Sequence, residues 1–92
     1  MKVTVHFMGP LRDYVGEQTV AFDLAEQATY RVLLDEIGHR FGQCFPEKIW
    51  DANGGGFKAG ILIMGTGRDL EDPETRLKED EEIKILPLLG GG

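Results

Sequence analysis

The chain alternates from its first residues. Val3, Val5 and Phe7 fall on one side of an extended backbone, with Lys2, Thr4, His6 and Met8 on the other. That is the period-two pattern of a strand with one face on a core. Gly9-Pro10 ends it, and Leu11-Arg12-Asp13-Tyr14-Val15 fits a helical turn before Gly16 breaks the chain again. From Glu17 to Leu24 a second alternation sets Val20, Phe22 and Leu24 against Thr19, Ala21 and Asp23, predicting an antiparallel hairpin with the first strand. The period then lengthens. Tyr30, Leu33, Leu34, Ile37 and Phe41 form one apolar stripe and predict a helix over Tyr30–Phe41. Thr29 is placed to cap its N-terminus through the hydroxyl, and His39 and Arg40 suit the negative end of its dipole. Gly42 suits a left-handed C-cap.

Gln43 to Ala59 carries little periodicity. Phe45-Pro46-Glu47-Lys48-Ile49-Trp50 is compatible with a short helix opened by Pro46, and Trp50 is expected to cover the edge of the core. Asn53-Gly54-Gly55-Gly56 is turn material. It lacks the lysine and Ser/Thr of a phosphate-binding loop and has no evident strand before it, so a connection is the reading. Ile61 to Met64 is a short apolar run bounded by glycines, a buried strand. Gly65-Thr66-Gly67 turns the chain, Arg68-Asp69-Leu70 can pair briefly, and Leu77 is expected to plug the core from a loop. Glu82 to Leu86 is the last strand, with Ile83 and Ile85 inward.

One helix covers one face of a sheet. The simplest packing is an α+β fold in which a mixed sheet carries that helix on one side and has the first and last strands adjacent in the middle. The other face then holds His6, Met8, Leu62, Met64, Lys84 and Leu86. An apolar cluster on one sheet face suggests a docking surface, unless the middle loop folds over it. Met8, Leu62, Met64 and Leu86 are the partner-contact candidates there, with Arg12 just after the first strand.

Composition narrows the possibilities. Ninety-two residues make one domain with a modest core. No apolar run reaches the roughly 20 residues of a membrane span, and no secretory signal opens the chain, so a cytoplasmic protein without a membrane partner is expected. A net charge of −6 argues against nucleic acid. The single Cys44 has no CxxC or histidine partner and reads as a packed thiol. No residues suggest a metal site, and His6 stands alone on its strand, so no catalytic constellation is expected. Between Asp69 and Glu82 acidic residues dominate, reading as a solvated face or as steering toward a basic partner.

The end of the sequence is the unusual stretch: Ile85-Leu86-Pro87-Leu88-Leu89-Gly90-Gly91-Gly92 runs from apolar strand to bare backbone. Residues 1–87 read as the folded body and 88–92 as a flexible tail. Glycines at a terminus are costly to order, and they suit delivery of the α-carboxylate of Gly92 into another protein's site.

The set as a whole resembles the ubiquitin-like sulfur carriers, a β-grasp family. The small subunit of molybdopterin synthase comes nearest and the thiazole-synthesis sulfur carrier next. The likeness rests on Leu11-Arg12-Asp13-Tyr14-Val15-Gly16, Ile63-Met64-Gly65 with Arg68-Asp69, Leu77, Lys78-Glu79-Asp80-Glu81-Glu82-Ile83, and Ile85-Leu86-Pro87 before the glycines. Three positions depart from the family pattern. Gly65-Thr66-Gly67 looks like an insertion, Leu88 stands where a second proline is common, and the acidic turn lacks its usual glycine. A non-glycine residue is therefore expected there at positive φ.

The resemblance implies that the Gly92 carboxylate is the reacting group, with Leu88, Leu89, Gly90 and Gly91 as the arm that delivers it. An E1-like enzyme would adenylate it using ATP with magnesium, and a sulfur donor enzyme would convert it to a thiocarboxylate. The large subunit of molybdopterin synthase would take up the sulfur, while the carrier itself binds no cofactor and supplies no catalytic group. Other sulfur destinations (thiazole, tRNA), attachment to lysines as a modifier, and a ubiquitin-like binding module without covalent chemistry remain open at the level of sequence.

Overall fold

The computed structural model describes residues 1–88. β1 (Lys2–Phe7) and β2 (Thr19–Asp23) form the expected hairpin around α1 (Pro10–Val15), whose Leu11 is fully buried. α2 (Tyr30–Phe41) follows, then a 3-10 turn over Gly42–Cys44 and a small hairpin of β3 (Trp50–Asp51) and β4 (Gly56–Phe57). β5 (Ile61–Gly65), β6 (Arg68–Asp69) and β7 (Glu81–Pro87) complete the chain. The five-stranded sheet runs β2-β1-β7-β5-β6, with β1 and β7 parallel at its centre and every other pair antiparallel.

Alternation along each strand decides what lies inside. Val3, Val5, Phe7, Ile83 and Ile85 are fully buried beneath Leu33, Leu34 and Ile37 of α2, and Leu77 fills the loop side as expected. The middle segment lies on the helix side of the sheet, not over the other face. Phe45 stands 6.3 Å from Phe7, the ring of Trp50 meets Phe57 edge-on at 4.9 Å, and Leu34 lies beside Gly56. Trp50 also packs on α2, where a Cβ added at Gly38 would come within 2.9 Å of its ring. Covering the core edge thus needs this hairpin as well as the helix.

Several local expectations fail for identifiable reasons. The Thr29 hydroxyl makes no capping bond. The first-turn amides of Tyr30 and Arg31 instead donate to the carbonyls of Thr75 and Pro73, at 2.8 and 2.9 Å, so a neighbouring loop satisfies the helix end. Gly42 is right-handed (φ −54) because α2 runs straight into the 3-10 turn. Pro46 opens a hydrogen-bonded turn, accepting from Ile49 and Trp50, and no helix follows. A short strand does precede the glycine loop, and that loop closes on its own Asp51 carboxylate, which accepts from the Asn53 amide at 3.0 Å. Cys44 is exposed, not packed. In β5 only Ile63 is fully inside.

The acidic turn bears out the expectation of a positive φ. Asp80 sits at φ 60, its amide held by the Lys2 carbonyl at 2.8 Å. A left-handed conformation costs a non-glycine residue about 1–2 kcal/mol, less for aspartate. Asp80→Gly is therefore expected to raise stability by about 0.5–1 kcal/mol, read as a higher midpoint in urea unfolding, and Asp80→Val to lower it. An unchanged midpoint in both variants would mean the turn stores no strain.

Candidate functional site

The parallel pairing of β1 with β7 and the antiparallel pairing of β5 with β7 align alternate residues on the face away from α2. His6 lies opposite Lys84, Lys84 opposite Met64, and Leu62 opposite Leu86. Met8 continues the row, its amide donating to the Ile85 carbonyl at 2.9 Å. Met8, Leu62, Met64 and Leu86 thus occur together on one sheet face, each half-buried, and Lys84 is exposed among them. Arg12 is not on these strands. It lies on α1, well exposed, 3.9 Å from Asp13. The β5–β7 ladder extends to Leu88, whose amide donates to the Gly60 carbonyl at 2.7 Å while its side chain is 60% exposed. Leu89, Gly90, Gly91 and Gly92 lie outside the described residues.

His6 has partners that the sequence could not reveal. Its Nε2 is 2.6 Å from Glu82 Oε1 and its Nδ1 is 3.1 Å from Thr19 Oγ1. In a neutral ring Nε2–H donates to the carboxylate and Nδ1 accepts from the hydroxyl, which uses both nitrogens. The contact arises because β1 lies between β2 and β7, so residues 76 positions apart meet. The two contacts join β2, β1 and β7 across this face. Beside them, Met64, Gly65, Thr66, Glu82 and Lys84 enclose a depression of about 300 Å³.

Under the edge of this face lies a group that sequence reasoning places wrongly, among the solvated acids. Glu81 is 1% exposed. Its Oε1 accepts from Arg68 Nη2 and from the Lys78 amide, both at 2.8 Å, and its Oε2 accepts from Arg68 Nε at 3.2 Å and the Thr66 amide at 3.1 Å. The carboxylate therefore ties the β5–β6 turn and the acidic turn to the start of β7. Gly65 is required beside it, since an added Cβ would collide with Oε2. One signal was available: Glu81 shares the parity of Ile83 and Ile85, so period two points it inward. Burial pushes its carboxyl up, but the hydrogen bonds from Arg68, Lys78 and Thr66 and the guanidinium charge prevail and hold it below the ordinary value.

Among the described residues no group of histidine, cysteine, aspartate and glutamate has metal-binding spacing, and no helix is long and apolar enough to cross a membrane.

The model of the ThiS family matches residues 5–92. No curated protein sequence matches the chain. Among solved structures, small archaeal modifier protein 1 of Haloferax volcanii superposes with a TM-score of 0.82 at 17% identity over 100% of both chains. A protein described as molybdopterin converting factor subunit 1, from Pyrococcus furiosus, gives 0.73 at 24%, covering 97% of this chain and 99% of its own. Small archaeal modifier protein 1 of Methanosarcina acetivorans gives 0.70 at 26%, covering 99% and 96%.

The carboxylate of Glu81 gives a signed expectation. Its folded-state affinity for protons is depressed below the unfolded value of roughly 4.3, so its contribution is full above that pH and is lost as pH falls through the lower folded value. Arg68→Ala, which strands a buried charge, is expected to cost about 3 kcal/mol at neutral pH. That cost should shrink as pH falls below the unfolded carboxylate value of roughly 4.3 and through the lower folded one. Urea unfolding across pH measures both; a cost independent of pH would refute the charge pairing.

Proposed function

Because the chain belongs to the ThiS family of ubiquitin-like sulfur carriers, we propose that it carries sulfur on Gly92 for a synthase that builds the dithiolene of molybdopterin. The reading is supported above all by a family match that runs through the terminal glycines, on a body whose uncovered sheet face offers Met8, Leu62, Met64 and Leu86 to a partner.

The chemistry follows from the carboxylate. It is ionised at neutral pH, with a free pKa of roughly 3.5, and its carbon is a poor electrophile. An E1-like enzyme with ATP and magnesium converts it to an acyl-adenylate, releasing pyrophosphate. A persulfide sulfur on a donor enzyme then attacks the carbonyl carbon, and AMP leaves with the electrons of the broken C–O bond. Cleavage of the resulting acyl disulfide by a thiol frees the thiocarboxylate, whose soft sulfur is a nucleophile for the large subunit of the synthase. The cytoplasm, where thiols stay reduced, suits each step. No residue of this chain acts as acid or base.

What the chain supplies is reach and thinness. Fully extended, Gly90 to Gly92 span at most about 10 Å and Leu88 to Gly92 about 17 Å. That reach enters a partner's active site while the sheet face rests on its rim. Arg12, exposed on α1, is a further contact for that partner. A second reading, attachment to lysines as a protein modifier, draws on the likeness to the small archaeal modifier proteins. The two diverge only after adenylation.

Intact-mass measurement of the chain from its native cells is expected to find a fraction with one terminal oxygen replaced by sulfur. Lysine conjugates without that species would favour the modifier reading, and neither would remove the carrier assignment. Gly91→Ala should leave thermal stability unchanged and slow adenylation and sulfur transfer on the order of 10²-fold, because a Cβ obstructs a channel fitted to bare backbone. Wild-type rates in that variant would defeat the narrow-channel argument.

A further inference from the structure

A second surface feature lies away from the outer sheet face, where β6 parts from β5. Beyond Asp69 the two strands separate, and the last bond between them runs from the Leu70 amide to the Ile63 carbonyl at 2.8 Å. Alternation fixes the remainder. Gly60 faces Leu88 of the terminal strand, and Leu62 and Met64 lie opposite Leu86 and Lys84. Ile61 and Ile63 therefore turn their backbone groups to the other side. Among the described residues the Ile61 amide and carbonyl and the Ile63 amide have no strand opposite them.

They border a groove of about 320 Å³ formed with Tyr30, Leu34, Phe57 and Leu70. Tyr30 is 4% exposed, and burial raises its hydroxyl pKa to about 12. That hydroxyl has no hydrogen-bond partner among the described residues. No unpaired side-chain polar atom is sealed away from solvent, so the hydroxyl keeps an opening, and the groove it lines provides one. Charge at the rim is uneven for a chain of net −6. Arg31 donates to the Gly55 carbonyl at 3.2 Å and faces Asp35 at 3.9 Å, Glu71 is exposed, and Lys58, whose charge helps lower the Asp51 carboxyl, makes no ion pair within 4.0 Å among the described residues.

We propose that this groove is a strand-addition site: an extended segment of a partner protein pairs with the open edge of β5 at Ile61 and Ile63. The segment places an aliphatic side chain between Leu34 and Leu70 and an acidic residue beside Lys58, and offers the Tyr30 hydroxyl an acceptor. Backbone pairing gives such a site its affinity and the pocket its selectivity. The site lies on the helix side of the β5 edge, so it is independent of the sheet face and of sulfur transfer.

The test is a titration of the ¹⁵N-labelled full chain with the peptide acetyl-Glu-Val-Ile-Val-Glu-amide, followed by NMR. Shifts are expected to centre on the Tyr30, Ile61, Ile63 and Leu70 amides, with slowed hydrogen exchange at Ile61 and Ile63. Methylating the peptide's central amide nitrogen should weaken binding at least about tenfold, and Tyr30→Phe, which keeps the fold, about fivefold. Replacing both glutamates by lysine should also weaken it. Absence of saturable binding at millimolar peptide, shifts centred on Met64 and Leu86, or equal binding of the methylated peptide would each overturn the proposal.

Discussion

The structure depends on the pairing of its first and last strands. β1 and β7 lie side by side and parallel at the centre of the sheet, so every other element attaches to one of them: β2 to β1, β5 to β7, and β6 through β5. Parallel neighbours cannot be joined by a tight turn, and the long crossover this pair demands is where α2 is found. The pairing also closes the chain in the sense that matters for stability. Contacts at large sequence separation, such as Val5 with Ile83 and Asp80 with Lys2, hold the N-terminal hairpin to the terminal strand.

The same pairing sorts side chains into two surfaces with different work. On the inner surface, branched aliphatic residues of both strands meet the stripe of α2 and exclude water. On the outer surface, alternate residues from β1, β5 and β7 form a patch that is neither fully apolar nor charged. Here Met8, Leu62, Met64 and Leu86 surround Lys84, with the His6–Glu82 contact at the side. A strand central to the core leads directly into the glycine-terminated segment, so the body holds fixed the point from which that segment departs. On the proposed reading, in which the reacting group belongs to the backbone, that fixed point matters more than catalytic side chains.

Buried charge is handled with economy. The one buried ionised side chain among the described residues, Glu81, is satisfied by a bidentate guanidinium and two backbone amides. Its partners come from two separate turns, which it ties together. Such a cluster is worth less as net stabilisation than as geometry, since desolvation offsets much of the attraction. It fixes where the β5–β6 turn sits, and through Thr66 it shapes one wall of the depression on the outer face.

Sequence alone determined the elements whose apolar pattern has a definite period. The alternation over β1, β2 and β7 and the stripe of Tyr30, Leu33, Leu34 and Ile37 each admit one backbone period. They give the strand faces, the bounds of α2 and the membership of the outer apolar row. The family resemblance likewise implied a left-handed residue in the acidic turn, where the family's usual glycine is absent, and Asp80 adopts that conformation. Tertiary structure decided the rest. Trp50 and Phe57 gained a hairpin, the N-terminus of α2 was capped by loop carbonyls and not by Thr29, and His6 acquired Thr19 and Glu82. Glu81 entered the core with Arg68. In each case the partner lies on a different element, and hydrogen bonds or ring contacts across space leave no periodic trace along the chain.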